Sequence, residues 1–421
     1  MTPDLCRSGN LTPAWQPLLR GRQRDRATEV AATIAAALAA VDTAERPRAI
    51  HEVALDSGSA GRALFFAYLA AGGFGAHHRS TALKLLHRAT DAIATMPATA
   101  RFYSGFPGVA WAASHLSDHI DPSFSPDAFV EIDDALGALL GRSPWDREFD
   151  LGGGLVGLGV YALERLPHPA AKTALERVID RLEELARRTR EGVVWRTYPE
   201  LLPESARVLR AHGDFDLGMA HAAGVATAQV RSLAMPAVRW LLAQKGSDGS
   251  QSHFAAWTDE GLAWKPARTA WCYGDPGVAA SLVVAGRAFG IPEWEAEGRS
   301  LALTAACRSP GPPGMQEGCL CHGAAGLAHI LNRLYQATRD EVLADAARAW
   351  FDRLFEMQRL GEGIGGFTAR AKDAQGRPCR IAEPGFLNGS VGIGLAVLAA
   401  VSDVEPEWDR LLLLSLPGGD L

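Results

Sequence analysis

Two kinds of apolar run alternate along the chain. In the first, apolar residues recur three and four positions apart with charges between them, as in TALKLLHRATDAIATM from Thr81, AAKTALERVIDRLEELARR from Ala170 and DEVLADAARAWFDRLFEMQR from Asp340. That is the pattern of helices with one face in a core and the other in water. The second kind is almost free of charge and always follows glycine. It occurs seven times: DSGSAGRALFFAYLA at Asp56, YSGFPGVAWAASHL at Tyr103, GGGLVGLGVYALERL at Gly152, MAHAAGVATAQVRSL at Met219, CYGDPGVAASLVVAG at Cys272, CHGAAGLAHILNRLY at Cys321 and LNGSVGIGLAVLAAV at Leu387. Each copy has Gly or His, two residues, then a second glycine, and these second glycines are Gly61, Gly108, Gly157, Gly224, Gly277, Gly326 and Gly392. Their successive spacings are 47, 49, 67, 53, 49 and 66 residues.

A helix that is apolar all round belongs inside, and one that is charged on one face belongs outside. Seven alternations predict an all-α fold, an α/α toroid with seven inner helices, spanning 1–421 as a single domain with repeats from about 55 to 402. The alternative, an open solenoid, needs polar capping repeats. Here the first and last copies are as apolar as the others, which favours closure. One pair of helices takes 47 to 50 residues, so each long interval holds an insertion. Segments 192–216 and 361–385 break the helical period and read as loops or short hairpins near the mouth, where a role in binding a substrate peptide and a plain surface insertion are equally open. Glycine at the start of every inner helix lets backbones approach closely. Helix N-termini gathered at one mouth would favour an anion such as a thiolate or an enolate.

Composition narrows the function. The chain is 48% apolar and 21% charged, as expected for a globular protein with a substantial core. Its formal charge is −6 and no Lys/Arg stripe is present, which excludes nucleic acid as the natural partner. The N-terminus lacks the apolar stretch of a secretory signal, so a cytoplasmic location is expected. The uncharged run Pro384 to Ser402 carries four Gly, an Asn and two Ser, and reads as a buried helix rather than a membrane span. Six cysteines are too few for a disulfide scaffold, while Cys272, Cys307, Cys319 and Cys321 cluster within fifty residues. Metal or thiol chemistry is the better expectation.

Three copies carry reactive side chains at their leading positions: Cys272 in RTAWCYGDPG, Cys321 and His322 in CLCHGAAG, and His221 in GMAHAAG. Equivalent positions of a toroid meet at one level around the axis, which brings Cys272, Cys321 and His322 together. Two thiolates and an imidazole suit zinc, and three protein ligands leave a fourth position open, as in catalytic sites. Cys319 falls off the repeat position and is taken as structural or spare.

The strings WCYGDPG, CHGAAGL and GMAHAAG, with the sevenfold glycine pattern, resemble the lanthionine synthetase C-like family, the lanthipeptide cyclases, from about Leu55 to Val401. The resemblance implies an α/α toroid with a central zinc held by Cys272, Cys321 and His322. It implies an enzyme that adds a peptide cysteine thiol to a dehydroalanine or dehydrobutyrine of the same peptide, closing a thioether ring. The matching pocket residues are His221, which would take the thiol proton or protonate the enolate, Asp150, which would orient it, Arg268, which would hold an anion or support the zinc shell, and Tyr273, which would donate a hydrogen bond. Ala222 departs from the family, where glycine commonly follows the histidine. With the toroid filling the chain and no dehydratase or kinase region ahead of it, a stand-alone cyclase is implied. Its substrate would be a dehydrated precursor peptide, and its partners a separate dehydratase and a membrane transporter. Two other readings stay open. One is zinc-dependent peptide S-prenylation, which ordinarily uses an acidic ligand beside Cys and His. The other is a non-catalytic scaffold that holds a thiol peptide or glutathione.

Overall fold

The computed structural model describes residues 15–41, 47–117, 126–201, 215–217, 228–246, 252–258, 264–308 and 317–415. Thirteen α-helices are described: α1 Gly21–Ala39, α2 Ser59–Ala71, α3 His77–Thr95, α4 Phe106–Ser117, α5 Val130–Leu140, α6 Leu155–Glu164, α7 Pro169–Leu185, α8 Ala228–Ala243, α9 Asp275–Phe289, α10 Pro292–Ala306, α11 Ala324–Thr338, α12 Glu341–Glu356 and α13 Ser390–Val401. Six of them, α2, α4, α6, α9, α11 and α13, begin in the glycine-led copies. The leading part of the fourth copy, with His221 and Gly224, lies outside the described residues, and its last six residues open α8.

The predicted division into inner and outer helices follows from burial. Every residue of α13 is buried. In α12 the buried set is Leu343, Ala344, Ala347, Trp350, Phe351, Leu354 and Phe355, one stripe at helical spacing, with the charged residues outside. Asp340 caps α12 by accepting the Val342 N–H at 3.0 Å, and Pro169 and Pro292 open α7 and α10 at positions where no donor is lost. Inner helices pack in ring order, α2 on α4, α4 on α6, α9 on α11 and α11 on α13, and α13 returns to α2. The result is an α/α toroid.

The glycines serve the loops that lead into the inner helices. A Cβ on Gly326 would stand 1.8 Å from the Leu320 carbonyl oxygen, and one on Gly392 would stand 1.9 Å from that of Phe386. The chain therefore folds back tightly onto the first turn of its own helix, and only glycine admits that carbonyl. Gly274, which precedes α9, adds a φ of +95°, a region that side-chain-bearing residues avoid.

The loops are joined to one another. Cys272 N donates to Cys321 O (3.3 Å), Cys321 N to Leu387 O (2.9 Å), Phe386 N to Asp56 O (2.6 Å), Asp56 N to Tyr103 O (3.0 Å) and Tyr103 N to Gly152 O (3.0 Å). Copies five, six, seven, one, two and three are thus linked in series, and the link from seven to one closes the ring.

The C-terminal turn Glu407–Leu412 fills the bore. Its carbonyls accept from the mouth loops, Leu411 from the Tyr103 hydroxyl (2.5 Å) and Leu412 from the Trp271 indole N–H (3.0 Å). Its Trp408 N–H donates to the Tyr68 hydroxyl (3.1 Å) near the far end of α2. Asp409, fully buried, accepts from His329 Nε2 (2.9 Å) and Arg333 Nε (2.8 Å), both on α11. Arg410 meets Glu164, which also holds His115 Nδ1 at 2.8 Å.

Both irregular insertions contribute strands to short antiparallel pairs. Arg187–Arg188 pairs with Val193–Val194, Phe215–Asp216 with Trp257–Thr258, and Ala369–Lys372 with Pro378–Ile381. The last is the hairpin expected in 361–385. Of the first insertion, residues 202–214 lie outside the described set. The run Pro384 to Ser402 yields α13, and no helix among the described residues is long and apolar enough to cross a membrane.

Candidate metal centre

Cys272 and Cys321 end their loops at equivalent points, and the Cys321 carbonyl binds the Trp271 and Cys272 amides together. That fixes the two side chains on adjacent rungs of the ring. The ligand atoms of Cys272, Cys321 and His322 all lie within 4.8 Å of one another. The spacing of the repeat had predicted this convergence, although 49 residues separate the cysteines.

The thiols are polarised against each other. Hydrogen bonding from Cys321 brings the Cys272 pKa down to about 6, against the opposing effect of burial and with help from Arg268 and His322. Cys321, the donor in that bond, is pushed upward. Arg268 reaches Cys272 directly, its Nη2 3.9 Å from Sγ. A thiol with a lowered pKa and a guanidinium therefore already meet at this point.

His322 has one nitrogen spoken for. Its Nε2 lies 2.7 Å from Glu317 Oε2. Nδ1 is buried with no hydrogen-bond partner. An unpaired buried polar atom costs about 1–3 kcal/mol unless something binds it. Two sulfurs and a free ring nitrogen in one small space fit zinc, and the cost of the unpaired atom is relieved when the ion is bound. Hydrogen bonds to Cys319 and then Glu317 hold the metal-free ring's pKa up at about 9, so an ion must displace a proton to bind.

The other sequence-predicted residues fall as follows. Asp150 sits in the turn before α6, where its Oδ1 accepts the Gly153 N–H at 2.7 Å. It borders the same mouth as Cys321, since both residues act on Tyr103, whose pKa is raised first by burial and then by them. Tyr273 is half-buried and meets Trp257 edge to face, ring centroids 6.4 Å apart. His221 lies outside the described residues. Cys319 is not remote from the site, because its sulfur, a Glu317 oxygen and a His322 nitrogen also lie within 4.8 Å of one another.

Two features escaped the sequence reading. Glu317 is one; its signal was the string Glu-x-Cys-x-Cys-His. The other is Asp275, the first residue of α9, fully buried and held by Ser252 Oγ (2.8 Å), His253 N (2.8 Å), His253 Nδ1 (2.9 Å) and Arg308 Nη2 (2.5 Å). Burial would raise its pKa, but His253, Arg308 and Ser252 outweigh burial and keep it below the ordinary carboxylate value. This clasp anchors the turn that carries Cys272. Its signal was a charge at a position where the other copies have Ser, Phe, Leu or Ala. A cavity of about 250 Å³ between α6, α7, α8 and α9 is lined by apolar side chains such as Val156, Val178, Leu233 and Leu282, and by none of Asp150, Arg268, Cys272, Tyr273, Cys321 or His322.

Residues 49–413 match the family model described as lanthionine synthetase C-like protein. The chain belongs to this family. Among solved structures it is similar to one titled nisin cyclase, with a TM-score of 0.68 and 17% sequence identity, over 93% of this chain and 97% of the other. At that identity the likeness speaks for the fold, and it agrees with the closed ring described above. No curated protein sequence matches the chain. The family match spans both loops that carry Cys272, Cys321 and His322, so the metal-competent cluster lies within the part of the chain that defines membership.

Proposed function

We propose that the protein is a zinc-dependent lanthipeptide cyclase, adding cysteine thiols of a dehydrated precursor peptide to its dehydroalanine or dehydrobutyrine residues. The observation that carries this reading is the convergence of Cys272, Cys321 and His322 with an unpaired, buried His322 Nδ1, at the mouth of a toroid of this family. Zinc at that point would lower the pKa of a substrate thiol and hold the thiolate.

The remaining chemistry falls to the chain. The thiolate sulfur attacks the β-carbon, the carbon–sulfur bond forms, and the π electron pair moves onto the α-carbon and carbonyl as an enolate. Arg268, already beside Cys272, and the helix N-termini of the mouth supply positive potential for that charge. A proton must then reach the α-carbon. His221 is assigned that transfer, with Asp150 orienting it and Tyr273 donating a hydrogen bond. The reaction is an isomerisation, so atoms balance without a co-reactant. A separate dehydratase would supply the peptide, in the cytoplasm, and a membrane transporter would take the product.

Incubation with a dehydrated cysteine-containing peptide tests the reading. Cyclisation leaves the mass unchanged while the free thiol stops reacting with alkylating reagents. One observation favours S-prenylation as a second reading: Glu317, Cys319 and His322 make an acid–Cys–His set. A lipid mass added to the peptide would identify that activity, and an intact free thiol would identify a scaffold. His221→Asn is expected to keep its zinc and slow cyclisation about 10²- to 10⁴-fold. Zinc lost in parallel with activity would move His221 to the metal shell instead.

A further inference from the structure

We infer that Glu317 is the positioning residue of this centre: its carboxylate fixes His322 in the orientation and tautomer that turn Nδ1 toward the two cysteine sulfurs. The inference rests on the zinc reading and concerns what makes His322 a ligand.

The geometry is direct. Glu317 Oε2 stands 2.7 Å from His322 Nε2. An ionised carboxylate can only accept, so the proton of that bond belongs to Nε2. In a neutral imidazole the lone pair then belongs to Nδ1, the atom left buried and unpaired. Without the carboxylate the ring could flip or take the other tautomer, and either change would turn an N–H toward the thiolates.

Glu317 is itself held. It is 9% exposed, and its main-chain oxygen accepts the Ala324 N–H (2.9 Å) at the start of α11. Its second carboxylate oxygen faces Arg370 Nε at 3.7 Å, from the hairpin Ala369–Ile381. The hairpin thus reaches the metal centre through two side chains, Arg370 and then Glu317. Carboxylates in this relation to a ligating histidine commonly change metal affinity 10- to 100-fold when removed. Cys319 is the rival: its sulfur lies 3.9 Å from Glu317 Oε2, so Glu317 and Cys319 could themselves be ligands of an ion on the other side of the ring.

Competition with a chromophoric chelator on the full-length protein separates these cases. Wild type binding one zinc tightly is the precondition; if it binds none, the functional reading fails, not this one. Glu317→Ala is expected to weaken zinc about 10- to 100-fold while the unfolding temperature of the chelator-stripped protein stays unchanged. Glu317→Gln, which keeps an oxygen acceptor for Nε2–H, should recover most of the affinity, and Cys319→Ala should bind as wild type. Unchanged affinity in Glu317→Ala overturns the inference. So does loss of zinc in Cys319→Ala with retention in Cys272→Ala, which would make Glu317 and Cys319 the ligands. Should Glu317→Ala fail to fold, nitrogen NMR of isotope-labelled histidine in the zinc-loaded wild type decides. Metal on Nδ1 and a proton on Nε2 are expected, and metal on Nε2 refutes the assignment.

Discussion

In the proposed zinc centre Cys272 and Cys321 would each be one of three donors, and two donors hold zinc poorly. Cys272→Ala and Cys321→Ala should each bring the metal content, measured by elemental analysis, from one zinc per chain to near none. The fold should remain, since the inner helices bury their own apolar faces. Full zinc in either variant would remove the centre of the functional proposal. These residues were legible because a repeat turns distance along the chain into adjacency in space: equivalent positions must meet. Glu317 and Asp275 were not legible in the same way. Glu317 lies off the repeat position, and its importance is in a hydrogen bond to the far nitrogen of a ligand. The partners of Asp275 come from residues 252–253 and 308, which no periodicity connects to Cys272.

At the level of the element, the glycine-led turn is the unit that positions chemistry. Gly326→Ala would put a methyl group into the Leu320 carbonyl, 1.8 Å away, and Cys321 lies in the same loop. A destabilisation of at least about 1–3 kcal/mol is expected, seen as a lower unfolding temperature, with zinc affinity falling as well. Gly159→Ala is the control. Its Cβ would meet nothing closer than Val178 Cγ1 at 3.6 Å, and an alanine inside α6 favours helix by up to about 1 kcal/mol. That variant should be neutral or stabilised, and equal losses in both would show that the glycines matter only as flexible residues. The helices were plain in the sequence because inner and outer runs differ so sharply in charge. The insertions were less so: their lack of period announced hairpins without saying that one of them, through Arg370, touches the carboxylate beside His322.

On the scale of the molecule the filled bore sets the response to acid. Burial alone would raise the pKa of Asp409, but Arg333 and His329 outweigh it and bring the value to about 2, from 3.8. A depressed carboxylate adds stability above its unfolded pKa and loses it as pH falls through the folded value, here a contribution of about 2 kcal/mol. His329 acts in the same direction. Burial lowers its pKa, so in the folded chain it takes up a proton less readily than an unfolded histidine, which does so below about 6.5. The unfolding temperature should therefore be level above about pH 6.5, decline below it, and decline again below about pH 4. A level profile from pH 7 to pH 4 would mean that His329 is already charged in the fold. Nothing in the sequence had pointed to this plug. The string EPEWDRLLLLS has no repeat signal, and the residues that receive it, Tyr68, Glu164, His329 and Arg333, are scattered over three copies of the pattern.

The link between Phe386 and Asp56 also orders events in time. A chain made from its N-terminus has its first copy exposed long before the seventh exists, and contacts so distant in sequence form late. Until Leu387 emerges, the Cys321 amide lacks the carbonyl that sets it in the ring. If the proposed zinc centre is right, chains stalled on the ribosome after Cys321 and His322 but before Leu387 would carry all three donors and still hold no zinc, so that metal loading would be the closing step of this protein's biogenesis.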